Sequence, residues 1–292
     1  MVLLPSMCVS HVMFPDLTTI CEPVLRLSAF ASVFIAMALL ERAFPKRKLQ
    51  FSAGSRWTTN LTMVALGALV VRALAWLSTV LAVPLVAVAA ADLAARNHWG
   101  LLAWSGLPPW AQIVIAVVVL DFAIYLQHVV SHRIPVLWRF HRMHHADVDF
   151  DVTTAVRFHP VEIGLSALYK VFWVLALGPP AVAVVLFEGL VNACAMFNHA
   201  NLDLPAPLDR VLRLLIVTPD MHRVHHSVLR HEHDTNFGFN LSIWDRLFAT
   251  YTRAPSHGHR GMTIGLPAYQ SVEPTKLGWS LAVPFRRSQP GE

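Results

Sequence analysis

The stretch WAQIVIAVVVLDFAIYLQHVV, residues 110–130, is an apolar run with a single acidic residue and with a histidine near its end. A bilayer core requires about 20 predominantly apolar residues in a helix, and this stretch meets that length. His128 and His132 stand four residues apart at its end, so a helix places both imidazoles on one face. The stretch predicts a membrane-spanning helix that presents two metal-ligating side chains.

The composition of the whole chain also indicates a membrane protein. Of 292 residues, 55% are hydrophobic and 14% are charged, whereas a soluble domain carries about 25% charged residues. The net charge is +5, but the basic residues are scattered and form no stripe with interleaved aromatics, so no nucleic acid partner is indicated. We expect this positive charge to face anionic lipid on the cytoplasmic side.

The cysteines and the N-terminus exclude two other classes. Cys8, Cys21 and Cys194 are widely spaced and form no CxxC, so neither a disulfide framework nor a cysteine zinc site is predicted. The N-terminus has no basic region before its apolar residues, and a cleaved signal peptide is not predicted.

Two further apolar regions precede the opening stretch. The first runs from Val24 to Leu40 and is followed by the basic sequence PKRK. The second lies within residues 61–92, which are too many for one ordinary span, and Pro84 is expected to break or kink it. This second region either crosses the membrane once or forms a hairpin.

The last apolar region consists of two stretches within residues 160–200, divided by Gly178, Pro179 and Pro180. Each half is slightly short, so a crossing hairpin and a deeply inserted hairpin both remain open. The sequence therefore predicts an all-α polytopic membrane protein. We expect about four to six membrane-embedded helices and a cytoplasmic, histidine-rich helical cap.

The distribution of basic residues predicts the orientation of these helices. Lys46, Arg47, Lys48 and Arg56 follow the first span, and Lys and Arg are enriched in cytoplasmic loops. If residues 61–92 cross once, the histidines lie on the cytoplasmic side, and if they form a hairpin the orientation reverses.

The motif HRMHH at 141–145 recurs as HRVHH at 222–226. Spacings of three and four residues place the three imidazoles of each motif on one side of a helix, and imidazole binds both iron and zinc. With His128 and His132 there are eight such side chains. A single zinc site has about three or four protein ligands, which is fewer. We interpret the motifs as two walls of one dinuclear metal site. Their histidines are His141, His144, His145, His222, His225 and His226.

An acidic residue in the opening stretch belongs to the same expected site. Asp121, Tyr125, His128 and His132 follow spacings that share one helical face, and an acid within a span requires a partner. We interpret Asp121 as accepting a hydrogen bond from a metal-bound histidine, which it would orient. A structural hydrogen bond to a neighbouring helix is the alternative.

Further histidines extend the candidate ligand set. Glu188, Asn192 and His199 share a helical face, so His199 is a candidate ninth ligand. His159 precedes Pro160 and is either a tenth ligand or a helix-capping residue. The sequence HEHD at 231–234 adds two histidines that we interpret as surface residues.

The ordered motifs resemble those of the fatty acid hydroxylase/sterol desaturase superfamily of membrane di-iron enzymes, over residues 115–252. They are DFAIYLQHVVSH, HRMHH, RFHPVE, FNHANL, TPDMHRVHH and DTNFGFNLSIWDRLFATY. The resemblance implies two iron ions bound by histidines, which use O2 and two electrons to hydroxylate or desaturate a lipid. It carries over to His128, His132, both HxxHH motifs, His199 and His159. With three intervening residues, the first motif is more similar to sterol oxidases and bacterial members than to yeast-type acyl hydroxylases.

The resemblance also implies regions and partners. It divides one membrane domain into a transmembrane region at 1–110, a histidine-box di-iron domain at 111–255 and a C-terminal tail at 256–292. The chain has no ferredoxin-like cysteine set, GxGxxG motif or fused cytochrome b5 segment, so an external ferredoxin or cytochrome b5 with its reductase is expected. Arg139, Arg142, Arg223 and Arg230 either dock such a carrier or face lipid phosphates.

The layout favours a bacterial inner membrane, and with it an acyl chain or aminolipid substrate rather than a sterol. Two other function classes remain open. A membrane zinc hydrolase could use histidines, although there is no HExxH motif and such a site needs only about three protein ligands. A metal transporter is expected to line its spans with ligands, whereas these histidines gather at helix ends.

Overall fold

The computed structural model describes residues 15–287, with side chains from residue 24 onward, and this part of the chain is helical without strands. Cys8, Cys21 and the N-terminal segment considered for a signal peptide lie outside the residues described in full. The longer helices are α1 Pro15–Ala43, α2 Ala53–Leu81, α3 Ala87–Asn97, α4 Pro109–Arg133, α5 Pro135–His145, α6 Pro160–Leu177 and α7 Ala181–Asn198. Short helices follow: α8 Ala206–Leu212, α9 Pro219–His225, α10 Arg230–His233, α11 Ile243–Leu247, α12 Gly258–Gly261 and α13 Leu277–Ala282.

Five helices are long and apolar enough to cross a membrane, namely α1 from Val24 onward, α2, α4, α6 and α7. This confirms the expected all-α membrane architecture. The pair α6 and α7 contains two helices of 18 residues each, which lies within the range of about 17–25 residues for a membrane-spanning helix. Gly178 forms the turn after α6 with a φ of 63°, and a Cβ there would clash with the carbonyl oxygen of Trp99.

Residues 61–92 are divided near the expected proline. Helix α2 ends at Leu81, and Ala82 takes the left-handed conformation with a φ of 52°. Helix α3 then packs against α6 and α7 through buried alanines, including Ala87, Ala90 and Ala94. The region therefore contributes one long span and one short packed helix.

All five spans bring one end to the same cap, which comprises α5, α8 to α13 and their loops. Shortly after α1, Pro45 pairs with Leu202 in the loop that follows α7, and α4 continues almost directly into α5. The segment expected to be a C-terminal tail packs into this cap, because Trp279 and Val283 share an apolar cluster with Met143 of α5 and Ala146.

A buried ion network joins the cap to α2. The Arg56 guanidinium donates to Asp147 Oδ1 at 2.9 Å and to Asp151 Oδ2 at 2.7 Å, and all three side chains are buried. Burial raises the pKa of Asp147, but Arg56 and Arg157 outweigh it and hold that pKa below its usual range. The charge of Arg56 is therefore neutralised by buried carboxylates, although the sequence placed Arg56 among the basic residues of an exposed cytoplasmic loop.

The Arg56→Met variant is expected to lose about 3–5 kcal/mol of stability, because it leaves two buried carboxylates without their cation. Thermal unfolding in detergent measures this loss, with Arg42→Met as the matched control, since Arg42 is exposed. Equal unfolding temperatures for the two variants would contradict the role assigned to Arg56.

Candidate metal centre

The first two histidine motifs come together because α4 and α5 are nearly continuous. His128 and His132 lie at the cap end of α4, and Ile134 is extended, so Pro135 starts a new helix in a new direction. The last turns of α5 carry His141, His144 and His145. The chain thus folds back and places the second motif beside the first, with the rings of His132 and His145 4.8 Å apart.

The third motif is placed by a short capped helix. Helix α9 is capped by Thr218, whose hydroxyl accepts a hydrogen bond from the amide of Met221, and it ends at His225. His199 ends α7 as its C-terminal cap. Its ring lies 4.3 Å from the ring of His222, so α7 and α9 supply neighbouring side chains.

Nine buried histidines form two groups, and within each group the potential ligand atoms lie within 4.8 Å of one another. The first group is His128, His132, His141, His145 and His225, and the second is His144, His199, His222 and His226. Each HxxHH motif contributes to both groups. The outer histidines of the second motif, His141 and His145, join the first group, while His144 joins the second. The motifs are therefore interleaved rather than forming opposite walls.

The hydrogen bonds of these rings fit metal ligation. Nδ1 atoms of five histidines lie 2.7–3.2 Å from oxygen atoms that accept hydrogen bonds. Four of these oxygens belong to the carbonyls of Phe237, Thr235, Ala195 and Arg157, and the fifth is Glu162 Oε1. Donation through Nδ1 leaves Nε2 as a lone-pair nitrogen. Buried Nε2 atoms without a hydrogen-bond partner include those of His128, His141 and His225.

The second group gives a more direct test. His199 Nε2 lies 3.2 Å from His144 Nε2 and 3.0 Å from His222 Nε2. His144 and His199 direct Nδ1 toward carbonyl oxygens, which only accept hydrogen bonds. In the neutral rings, two nitrogen lone pairs therefore face each other, and a cation between them removes the repulsion. The donor set fits a metal ion.

Electrostatics keep these ligands neutral. Burial, followed by the neighbouring imidazoles, lowers the pKa of His144, His222 and His226 well below the usual value. Burial lowers the pKa of His199 to about 3. Neutral imidazole is the metal-binding form, so the rings are ready to bind a cation at physiological pH.

Asp121 takes the structural role that was the alternative. It accepts hydrogen bonds from the amides of Asn240 and Leu241 at 3.3 and 3.1 Å, and from Trp244 Nε1 at 2.8 Å. It therefore anchors a cap segment to α4 and contacts no histidine of the two groups by these bonds. The orienting carboxylate is Glu162, at 2.7 Å from His141 Nδ1. Its signal was its place in the RFHPVE motif, in the first turn of α6.

His159 is placed at a helix end, apart from both groups. Its Nδ1 accepts a hydrogen bond from the amide of Val161 at 3.2 Å, and its ring lies beside Phe140. The capping alternative therefore describes its position. Glu188, expected on the face of His199, instead pairs with Arg26 and Lys170.

The HEHD segment differs from its surface interpretation at one position. The side chain of His231 is 71% exposed, but His233 is buried and its ring lies 4.5 Å from that of His145. With Asp234 and His132, His233 forms a third set of possible ligands. Nothing in the local spacing distinguished the buried histidine from the exposed one.

Two of the four arginines assigned to a docking surface are buried. Arg142 donates to the carbonyl oxygens of Val283 and Arg286, and Arg223 pairs with Asp220. Both serve the interior of the cap, so the docking interpretation is wrong for them. Arg139 and Arg230 are exposed.

A cavity of about 550 Å³ reaches this centre from the spans. It lies among α1, α2, α4, α6 and α7, and His128 and His141 line its end at the cap. Its walls combine apolar side chains such as Phe30, Ile124 and Phe187 with several polar ones. The first histidine group is therefore open toward the membrane interior.

Comparisons with known proteins agree with the site. The fatty acid hydroxylase family profile matches residues 113–250. The ornithine lipid hydroxylase OlsE of Rhizobium tropici is 31% identical over 229 residues, which cover 77% of this chain and 66% of that protein. Human alkylglycerol monooxygenase is 27% identical over 172 residues, covering 59% of this chain and 37% of that protein. The matched regions thus span less than two thirds of these relatives, and no solved structure matches the chain.

Glu162→Ala is expected to weaken metal binding about 10–100-fold, because His141 loses the carboxylate that orients it. Titration of the metal-loaded protein with a chelator measures this change. Glu273→Ala is the matched control, since Glu273 is exposed on the cap. Identical chelator curves for both variants would show that Glu162 does not support the ligand.

Proposed function

Because the chain belongs to the fatty acid hydroxylase superfamily, we propose that it is a membrane-bound, O2-dependent lipid hydroxylase with two iron ions. The observation that carries this proposal is the pair of buried histidine groups at the end of a membrane cavity. Five and four imidazoles are enough to hold two ions while leaving positions open. A single zinc site would leave several of these buried nitrogens without a partner.

Two iron ions, when bound, supply the oxidising power for an unactivated C–H bond, which no side chain has. The chain's own residues hold and orient the site. Glu162 fixes the ring of His141, and the carbonyls of Phe237 and Thr235 fix those of His128 and His225. Such fixed orientation is what a reactive centre requires of its ligands.

The cavity positions the substrate and excludes water. Its apolar walls suit a lipid chain, and Phe239 lines the cavity beside His128, with the two rings 5.3 Å apart. OlsE is named for ornithine lipids and the human relative for alkylglycerols. We propose hydroxylation of an acyl chain or aminolipid, rather than desaturation, for this chain.

Electrons are proposed to come from an external ferredoxin or cytochrome b5 with its reductase. A depression of about 70 Å³ on the cap is lined by His132, Trp138, His233 and the exposed Arg230. It brings the aqueous surface close to the first histidine group. A small acidic carrier docked there would transfer electrons over a short path.

We propose that the cap faces the cytoplasm of a bacterial inner membrane. Exposed basic residues at the cap end of the spans include Lys48, Arg139, Arg230 and Arg260, whereas Arg96 is the one lysine or arginine within residues 82–108 at the opposite end. Lys and Arg are enriched on the cytoplasmic side, and this asymmetry supports the assignment.

Metal analysis of protein purified from iron-rich cells tests the proposal. About two irons per chain, with a spin-coupled Mössbauer signature, are expected. Purified lipid extracts should gain hydroxylated species only when O2 and a reductant are present. One zinc per chain, no iron and no oxidised lipid would contradict the proposal and favour a hydrolase.

His144→Ala and His225→Ala remove one ligand from each group. Each variant should lower turnover by more than the about 100-fold that outer-shell changes cost. Mass spectrometry of the hydroxylated lipid measures turnover, and membrane fractionation verifies insertion. His231→Ala is the control, because its ring is exposed. Full turnover in either ligand variant would exclude a shared site.

A further inference from the structure

The cavity contains a layer of charged side chains that the proposed chemistry does not use. Glu188 of α7 accepts hydrogen bonds from Lys170 Nζ of α6 and from Arg26 Nη1 of α1, both at 2.8 Å. Arg72 of α2 also lines the cavity. All four residues belong to membrane-spanning helices.

This layer lies deep in the membrane region. Lys170 follows Glu162 by eight residues on α6, which is about 12 Å along the helix axis. Charged groups in spans are costly, and they mark binding or transport sites by default. The layer is thus well separated from the interface at the cap.

One cation of the layer is not paired with its carboxylate. Glu188 accepts hydrogen bonds from Lys170 and Arg26 through its two oxygens, and Arg72 takes no part in this pairing. Arg72 has no ion pair or hydrogen bond with any residue in the described part of the chain. Such a cation in a medium of low dielectric strongly favours an anion.

Arg72 stands at the mouth of the cavity. Ala68, Val71 and Arg72 line the cavity and are also exposed. Helix α1 packs on α7 and α2 packs on α6, so the cavity lies between these two helix pairs. A lipid entering between α1 and α2 would pass the guanidinium of Arg72.

Resting on the proposed function, we infer that this layer binds an acidic group of the lipid substrate, a carboxylate or a phosphate. The guanidinium of Arg72 would form two parallel hydrogen bonds with such a group, and Lys170 would supply a further charged donor. Glu188 positions Lys170 and Arg26. The substrate class is therefore an acidic lipid rather than a neutral one.

Binding of defined lipids to the purified full-length protein tests this inference. The probes are N-palmitoylglycine, its methyl ester and hexadecyl phosphate, whose chains match in length, with affinities measured by microscale thermophoresis in detergent. The wild type should bind the free acid about tenfold more tightly than the ester, as a lost charged hydrogen bond implies. The tighter of the two acidic probes identifies the source of the negative charge.

The Arg72→Gln variant should lose about tenfold in affinity for the preferred acid and keep its affinity for the ester. Arg96→Gln is the matched control, an exposed arginine on α3 outside the cavity. Because Arg72 has no described partner, the variant is expected to unfold at the wild-type temperature. Lys170→Met is a second variant with the same expected direction.

Equal binding of acid and ester, or an unchanged affinity in Arg72→Gln, would overturn the inference and leave Arg72 as an interfacial anchor. The proposed function is judged separately by lipid oxidation. Oxidation without a preference for the acid overturns only the inference. A preference that Arg72→Gln abolishes, without oxidation of any lipid, supports the acidic site and contradicts the hydroxylase.

Discussion

Buried nitrogen lone pairs are the constraint on which this structure depends. A buried polar atom without a partner destabilises the folded chain, and the core of the cap brings His144, His199 and His222 face to face through Nε2. In His144 and His199 the Nδ1 atom donates its proton to a carbonyl oxygen, so no proton is left on Nε2 to form a hydrogen bond across this contact. In the proposed metalloenzyme, metal binding and folding of the cap would therefore be coupled, since a cation would satisfy the nitrogen atoms that the protein leaves without a partner.

The cap is held in register by polar contacts at the end of the spans. Arg56 joins α2 to Asp147 and Asp151, and Asp121 joins α4 to the segment that contains Trp244. Lys46, placed after α1, pairs with Asp203 and Asp220. Lys46 and Arg56, which the sequence analysis used to orient a cytoplasmic loop, thus hold the helices against the cap. The rigid bundle then positions ligands that are far apart in the chain.

Local periodicity predicted the parts of the site that depend on one helix. The spans follow from hydropathy, and eight of the nine clustered histidines follow from spacings of three and four residues, with His199 added from its helical face. What depends on a neighbouring element was not predictable. His233 turns inward from a four-residue helix toward His145, and Arg142 is buried against the distant Val283. Spacing defines a face, but not the partner that covers it.

The two histidine groups differ in access, and this asymmetry has a chemical consequence. The membrane cavity meets the first group through His128 and His141, and the depression on the cap meets it through His132. The second group lines neither of these, because Phe158 stacks on His144 at 4.5 Å and Phe150 on His199 at 5.5 Å. In the proposed enzyme, a lipid from the bilayer and an electron carrier from water would therefore both approach the first group. The enclosed second group would hold its ion while the first group meets the substrate.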